Sequence, residues 1–245
     1  MNKSEILNTL QMSDPYLGFK KDPNLNSFGG WNSDNSNFQL AREKKTCLEI
    51  GSWMGGSAKT LSSIIPTDGA LICCDNFLGS HEHFIDKTVP LNEYGKPMLY
   101  EYFLTNTYEY REKIVPLMLS SSSAFEVFRR KGIKFDFIYI DGDHRAMAVY
   151  NDIIESYSLL NPNGIILGDD YTWGTVQEGV SKALGELQIG MESKNGQYVI
   201  RRTDARHKSA GQEGGEGGWN RVCSPGRISG RVRRYRTEQK SPSFR

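Results

Sequence analysis

The sequence predicts an α/β fold with a doubly wound, mostly parallel sheet, and three observations carry that expectation. Apolar strand-like runs alternate five times with helix-like runs between Thr46 and Leu187. The strand-like runs are almost continuously apolar, as strands covered on both faces must be. The last regular segment, IGMESKNGQYVIRR, reads as a hairpin turned at Asn195-Gly196, which makes one closing strand antiparallel to its partner.

The elements follow in order. Residues 1–44 are rich in Asn, Ser and Asp and carry aromatics at Tyr16, Phe19, Phe28 and Trp31. One short helix is expected near Lys3–Leu10, and this N-terminal segment is expected to act as a substrate or lid segment. TCLEIG then reads as a buried strand, GSAKTLSSII as a helix and ALICCD as a second strand. YGKPMLYEYFLTNTYEY holds a helix broken early by Pro97. KIVPLML is a third strand, SAFEVFRRKG a helix and FDFIYID a fourth strand. After the helix RAMAVYNDIIESYSLL come a turn at NPNG, the strand GIILGD and a helix from about Thr175 to Leu187. One domain, 45–202, holds this pattern. Residues 203–245 are rich in Gly, Ser and Arg without periodicity, and are expected to be a disordered basic tail that buries too little apolar area to offset chain entropy. Such a tail is either a recognition arm or a dispensable extension.

Composition narrows the function. The chain has 245 residues, 38% hydrophobic and 24% charged, with no apolar stretch near the ~20 residues of a membrane span. Its polar N-terminus lacks the apolar core of a secretion signal. The net charge of +1 divides into −5 over residues 1–202 and +6 beyond. An acidic body argues against a nucleic-acid surface, which needs clustered Lys and Arg. Cys47, Cys73 and Cys74 lie in apolar runs and Cys223 in the tail, which reads as reduced thiols in a cytoplasmic protein.

LEIGSWMGGSAKTL puts Glu49, Gly51, Gly55 and Gly56 at a strand-to-helix junction, where glycines admit a ligand close to the backbone and the helix start offers free N–H groups. The spacing is not that of the dinucleotide fingerprint. Asp75 ends the second strand about twenty residues on, where a carboxylate can accept both hydroxyls of a ribose. Ser121 and Ser122, after the third strand, can meet an adenine edge or cap the next helix.

With these residues the chain resembles the class I S-adenosylmethionine-dependent methyltransferases. Glu49-x-Gly51-x-x-x-Gly55, Asp75, IDGDH and LNPNGIILGDDY carry the likeness over Thr46 to Arg202, and it is strongest to the branch of metal-dependent small-molecule and sugar O-methyltransferases. The resemblance implies a Rossmann-like sheet of seven strands with an antiparallel last strand. It also implies that Gly51–Gly55 faces the methionine part of S-adenosyl-L-methionine, that Asp75 holds the ribose, and that Glu49 supports the loop or the methionine ammonium.

Asp141 ends the fourth strand and Asp169 and Asp170 the fifth, so three carboxylates should converge at one edge of the cofactor cleft. They would repel unless a cation or protons intervened, and hard oxygen ligands suit Mg²⁺ or another divalent cation. The resemblance likewise implies metal ligands at Asp141, Asp169 and Asp170. Against this, Asp143 can cap the helix from Arg145, and Asp170 a turn before Trp173. His144 either takes the proton of a substrate hydroxyl, as the resemblance implies for Asp-x-x-His segments, or only hydrogen-bonds its loop. Asp141 is the other candidate for that proton. His81 and His83 read as a polar surface loop. The expected reaction is methylation of a hydroxyl on a sugar or other small metabolite, with residues 16–31 and the stretch after Asp75 as candidate substrate walls. The alternatives are a non-catalytic S-adenosylmethionine-binding protein and a related metal-dependent enzyme of other chemistry.

Overall fold

The structure is a computed structural model that describes residues 1–27, 35–86, 88–202 and 220–222. Strands β1 (Thr46–Ile50), β2 (Ala70–Asp75), β3 (Ile114–Met118), β4 (Phe135–Ile140), β5 (Leu160–Gly168), β6 (Met191–Lys194), β7 (Gln197–Arg201) and β8 (Asn220–Val222) form one sheet. Their order is β3-β2-β1-β4-β5-β7-β6-β8, parallel from β3 to β5 and antiparallel beyond. The seven expected strands are present. The eighth, β8, lies within the tail expected to carry no structure, and the rest of that tail is outside the described residues.

Helices α1 (Lys3–Leu10), α2 (Gly56–Ile64), α3 (His81–Ile85), α4 (Leu99–Thr107), α5 (Ser121–Lys131), α6 (Ala146–Leu159) and α7 (Gly174–Leu187) cover both faces. Side chains alternate along each strand, so β1 sends Leu48 and Ile50 to the face under α5, α6 and α7. Cys47, Phe137, Tyr139 and Leu167 go to the opposite face, with α2, α4 and the N-terminal segment. Phe135, Phe137 and Ile138 are fully buried, and each such side chain contributes ~1.5–3 kcal/mol. Cys47, Cys73 and Cys74 are free and buried in these layers; Cys223 is outside the described residues.

Several expectations meet differences. The NPNG turn lies inside β5, not before it: Phe135 pairs with Leu160 and Phe137 with Ile165, so the extra residues bulge out of the ladder with Asn163 in the left-handed region at φ 60°. Tyr16 and Phe19, candidate substrate walls, instead pack against Tyr108, and the Tyr16 hydroxyl bonds Thr107 Oγ1 at 2.7 Å. Phe28 and Trp31 are outside the described residues. Lys3 is buried and donates to Asp14 and to the Arg111 carbonyl, which docks α1 on the sheet edge. No helix among the described residues is long and apolar enough to cross a membrane.

Candidate active site

The carboxyl ends of the parallel strands open onto a cavity of about 410 Å³. One wall is the turn from β1 into α2. Gly51 has φ 83° and Gly55 φ 87°, a region costly for other residues. Gly51 also has no room for a side chain, because a Cβ there would lie 1.9 Å from the Asp141 carbonyl oxygen. Helix α2 starts at Gly56 after the Gly55 cap, with no side chain capping its first N–H groups. Beneath the turn, Glu49 is fully buried, and neither carboxylate oxygen has a hydrogen-bond partner among the described residues. Burial pushes its carboxyl up to about 7, although Ser52, Ser57 and Cys73 lie near enough to oppose part of that shift.

Asp75 secures this wall. Its Oδ2 accepts the N–H groups of Ser52 (2.9 Å) and Trp53 (2.8 Å), and its Oδ1 accepts that of Phe77 (2.7 Å). Trp53, held at φ 46°, lines the cavity and stacks on His83 with ring centroids 4.0 Å apart. Expected in a surface loop, His83 is thus part of the cavity wall. Only tertiary packing on Trp53 reveals that.

The opposite wall holds the acids. Tyr139, buried on β4, donates its hydroxyl to Asp169 Oδ2 at 2.5 Å and lies 3.2 Å from Asp141 Oδ2. Gln197 Nε2 also donates to Asp169 Oδ2, and the Asp170 N–H to Asp169 Oδ1. His144 Nε2 lies 2.9 Å from Asp170 Oδ2 and 4.0 Å from Asp141 Oδ1. Burial works against charge on this imidazole, yet hydrogen bonding and attraction from Asp141 and Asp170 overcome it and push it up to about 10. Asp141 is raised from the ordinary carboxylate range by burial first, then by Asp169 and Asp170, with His144 opposing.

Asp141, His144 and Asp170 bring ligand atoms within 4.8 Å of one another, a group able to hold a cation. Asp169 stands beside this group, its oxygens engaged by Tyr139, Gln197 and the Asp170 N–H. Asp143 accepts the Arg145 N–H and pairs with the Arg145 side chain, away from the cluster. Asp170 has φ 53°, and its carbonyl, not its side chain, accepts the Trp173 N–H.

Ser121 and Ser122 do not line the cavity. The cap of α5 is Ser120, whose Oγ accepts the Ser123 N–H, because the chain turns helical one residue earlier than the serine run alone indicates. The Ser121 hydroxyl faces the buried Asp152, and Ser122 Oγ lies 3.1 Å from Ser120 Oγ. Sequence reasoning missed Gln197, Asn35 and Ser36, polar residues of hairpin and loop whose convergence on the site only the fold reveals.

A parallel sheet of this order, closed by an antiparallel hairpin, with a glycine turn after β1 and acids ending β4 and β5, defines a class I methyltransferase fold. The methyltransferase domain family matches residues 48–171, half of the chain, and the protein belongs to that family. An uncharacterized protein of Acanthamoeba polyphaga mimivirus is 28% identical over 162 residues, which cover 62% of this chain and 65% of that protein. The chain therefore spans less than two thirds of that relative's length. Among solved structures, an O-methyltransferase from Bacillus cereus in complex with SAH is similar at TM-score 0.53 and 15% identity, over 83% of this chain and 92% of that one. TomG, an O-methyltransferase from Streptomyces achromogenes involved in tomaymycin synthesis and solved with SAM, is similar at TM-score 0.51 and 15% identity, over 82% and 100%. At this identity the likeness is one of fold.

Proposed function

We propose that the protein methylates a hydroxyl on a sugar or other small metabolite, using S-adenosyl-L-methionine as donor and a divalent cation, Mg²⁺ by preference. One observation carries the reading. A single cavity sets the glycine turn, with a buried unpartnered carboxylate beneath it, opposite a cluster of two aspartates and a histidine.

The residues fit both groups. Glu49 is a buried acid whose oxygens have no hydrogen-bond partner among the described residues, suited to the donor's ammonium, and the start of α2, which lines the cavity, suits its carboxylate. Asp75 holds the turn in shape and keeps a half-buried carboxylate beside it for the ribose diol. Asp141 and Asp170 would hold the cation, with Asp169 completing the set of acids. Bound there, the donor supplies a methyl group on a sulfonium and the cation lowers the pKa of the acceptor hydroxyl. His144 Nε2 takes the hydroxyl proton. Asp141 and Asp170 favour the protonated imidazole of His144. Were they to hold a cation, their pull on His144 would weaken and the neutral imidazole, able to accept a proton, would be favoured. Trp173, whose ring lies 4.6 Å from that of His144, and Asp170 fix the orientation of the imidazole. A reducing, cytoplasmic setting agrees with the free buried thiols.

The test is transfer of labelled methyl from S-adenosylmethionine to a panel of hydroxylated metabolites, with and without EDTA. Transfer that stops in chelator and returns with Mg²⁺ supports the reading. Full transfer in chelator removes the cation from it, and binding of the donor with no transfer to any acceptor favours a cofactor-binding protein.

A further inference from the structure

We infer that Gln197, on β7, and Asn37, in the N-terminal segment, are positioning residues for the acidic cluster. The inference rests on the cation reading above. Asn35 opens a 3₁₀ turn over Ser36–Ala41 by accepting the Asn37 N–H, and this turn buries Asn37 and Phe38. Asn37 Nδ2 donates to Gln197 Oε1 at 2.6 Å. That contact fixes which way the Gln197 amide faces, so its Nε2 is presented to Asp169 Oδ2 at 3.1 Å. The same oxygen accepts the Tyr139 hydroxyl, which also reaches Asp141. Phe38 closes the arrangement by packing edge-on against the Tyr139 ring at 4.9 Å.

A buried chain of hydrogen bonds thus runs from the N-terminal segment, through the closing hairpin, to the ends of β4 and β5. Without Asn37, the Gln197 amide is free to turn its oxygen toward Asp169, where two acceptors repel. Asp169 then loses one of its donors, and the Tyr139 hydroxyl that ties it to Asp141 loses its alignment. The hydrogen bonds of Asn37 and Gln197 run to each other and to Asp169, not to the group Asp141, His144 and Asp170. They act through Asp169 and Tyr139. Outer partners of this kind typically change metal affinity by ~10–100-fold.

The experiment measures Mn²⁺ affinity by electron paramagnetic resonance for the full chain and for Gln197→Met, Asn37→Leu and Tyr139→Phe, with SAH affinity and melting temperature recorded beside it. The expected result is Mn²⁺ binding weakened ~10-fold or more in Gln197→Met and Tyr139→Phe and less in Asn37→Leu, with SAH affinity unchanged. A purely structural role would instead lower melting temperature and SAH affinity together with metal affinity. Variants that bind Mn²⁺ as tightly as the wild type overturn the positioning role while leaving the cation reading intact. A wild type that binds no Mn²⁺ overturns both. Asn37→Ser, which stays polar but is too short to reach Gln197, decides the matter if Asn37→Leu or Gln197→Met fails to fold: unchanged Mn²⁺ affinity overturns the positioning role.

Discussion

Glu49 on one wall of the cavity and Asp169 on the other satisfy their charges in opposite ways. On the glycine-turn wall Glu49 is sealed from water with no hydrogen-bond partner among the described residues. On the acid wall Tyr139 and Gln197 hold Asp169, and His144 pairs with Asp170. The first wall is incomplete as a folded surface, since a buried polar group without a partner costs ~1–3 kcal/mol and more when charged. The second is held largely by hydrogen bonds among its own side chains. A wall that carries such a cost gains most from its ligand, whereas a wall already satisfied can bind only by exchanging partners. Donor affinity should therefore be built into the first wall, and the acid wall should be sensitive to whatever rearranges His144.

The largest expected effect tests the acid wall. His144→Ala should slow methyl transfer by ~10²–10⁴-fold while SAH affinity stays unchanged, as read by labelled-donor kinetics and calorimetry. Unchanged turnover would pass proton removal to Asp141.

Asp75→Ala tests the other wall. It removes the acceptor for Ser52 N–H and Trp53 N–H along with the proposed ribose contact, and each lost bond to a charged acceptor is worth ~1.5–3 kcal/mol. SAH affinity should fall by at least tenfold with Mn²⁺ affinity spared. Equal losses of both would show that the walls are not separate.

The third prediction is a pH dependence. Glu49, pushed up to about 7, is neutral below that pH and cannot attract an ammonium. SAH binding should be roughly tenfold weaker at pH 6 than at pH 8, and Glu49→Gln should be weak and flat across that range. A wild-type profile as flat as that of the variant would remove Glu49 from the donor site.

The smallest effect separates a buried acid that awaits a ligand from one that does not. Asp152, on the far face of the sheet from Glu49, is likewise raised to about 7 by burial, with Ser121 opposing and Asp143 adding. A carboxyl raised above its unfolded value contributes stability below the unfolded pKa and loses it as pH rises through about 7. Asp152→Asn should therefore raise the melting temperature by several degrees at pH 8 and by much less at pH 4, near the unfolded pKa of ~3.9, with SAH affinity unchanged. A loss of SAH affinity would make Asp152 a second member of the donor wall.

What could be read in the sequence divides along similar lines. The strands from Thr46 to Gly168 were legible because each holds a largely apolar run and all but β3 run into glycine or acid. The start of β5 was not, because its NPNG stretch reads as a turn. Asp141, Asp170 and His144 were legible because strand ends in such sheets meet on one side. Ser120 was missed as the cap because four successive serines offer the same chemistry, and backbone geometry alone chooses among them. The place of His83 depends on an aromatic contact with Trp53 that no local pattern encodes. Asn37 and Gln197 lie 160 residues apart, in segments whose composition signals only loop and hairpin, so their pairing appears only once the sheet has brought β7 beside β5.

Gly51 carries one consequence further. Its backbone sits so close to the Asp141 carbonyl that the donor turn and the acid strand meet main chain to main chain, and the Asp141 N–H closes the contact on the Ile50 carbonyl at 2.8 Å. The separation of the two walls is thereby written into the backbone and not into replaceable side chains. Changes at the hairpin tip around Asn195 can therefore reshape the cavity without moving its two walls apart.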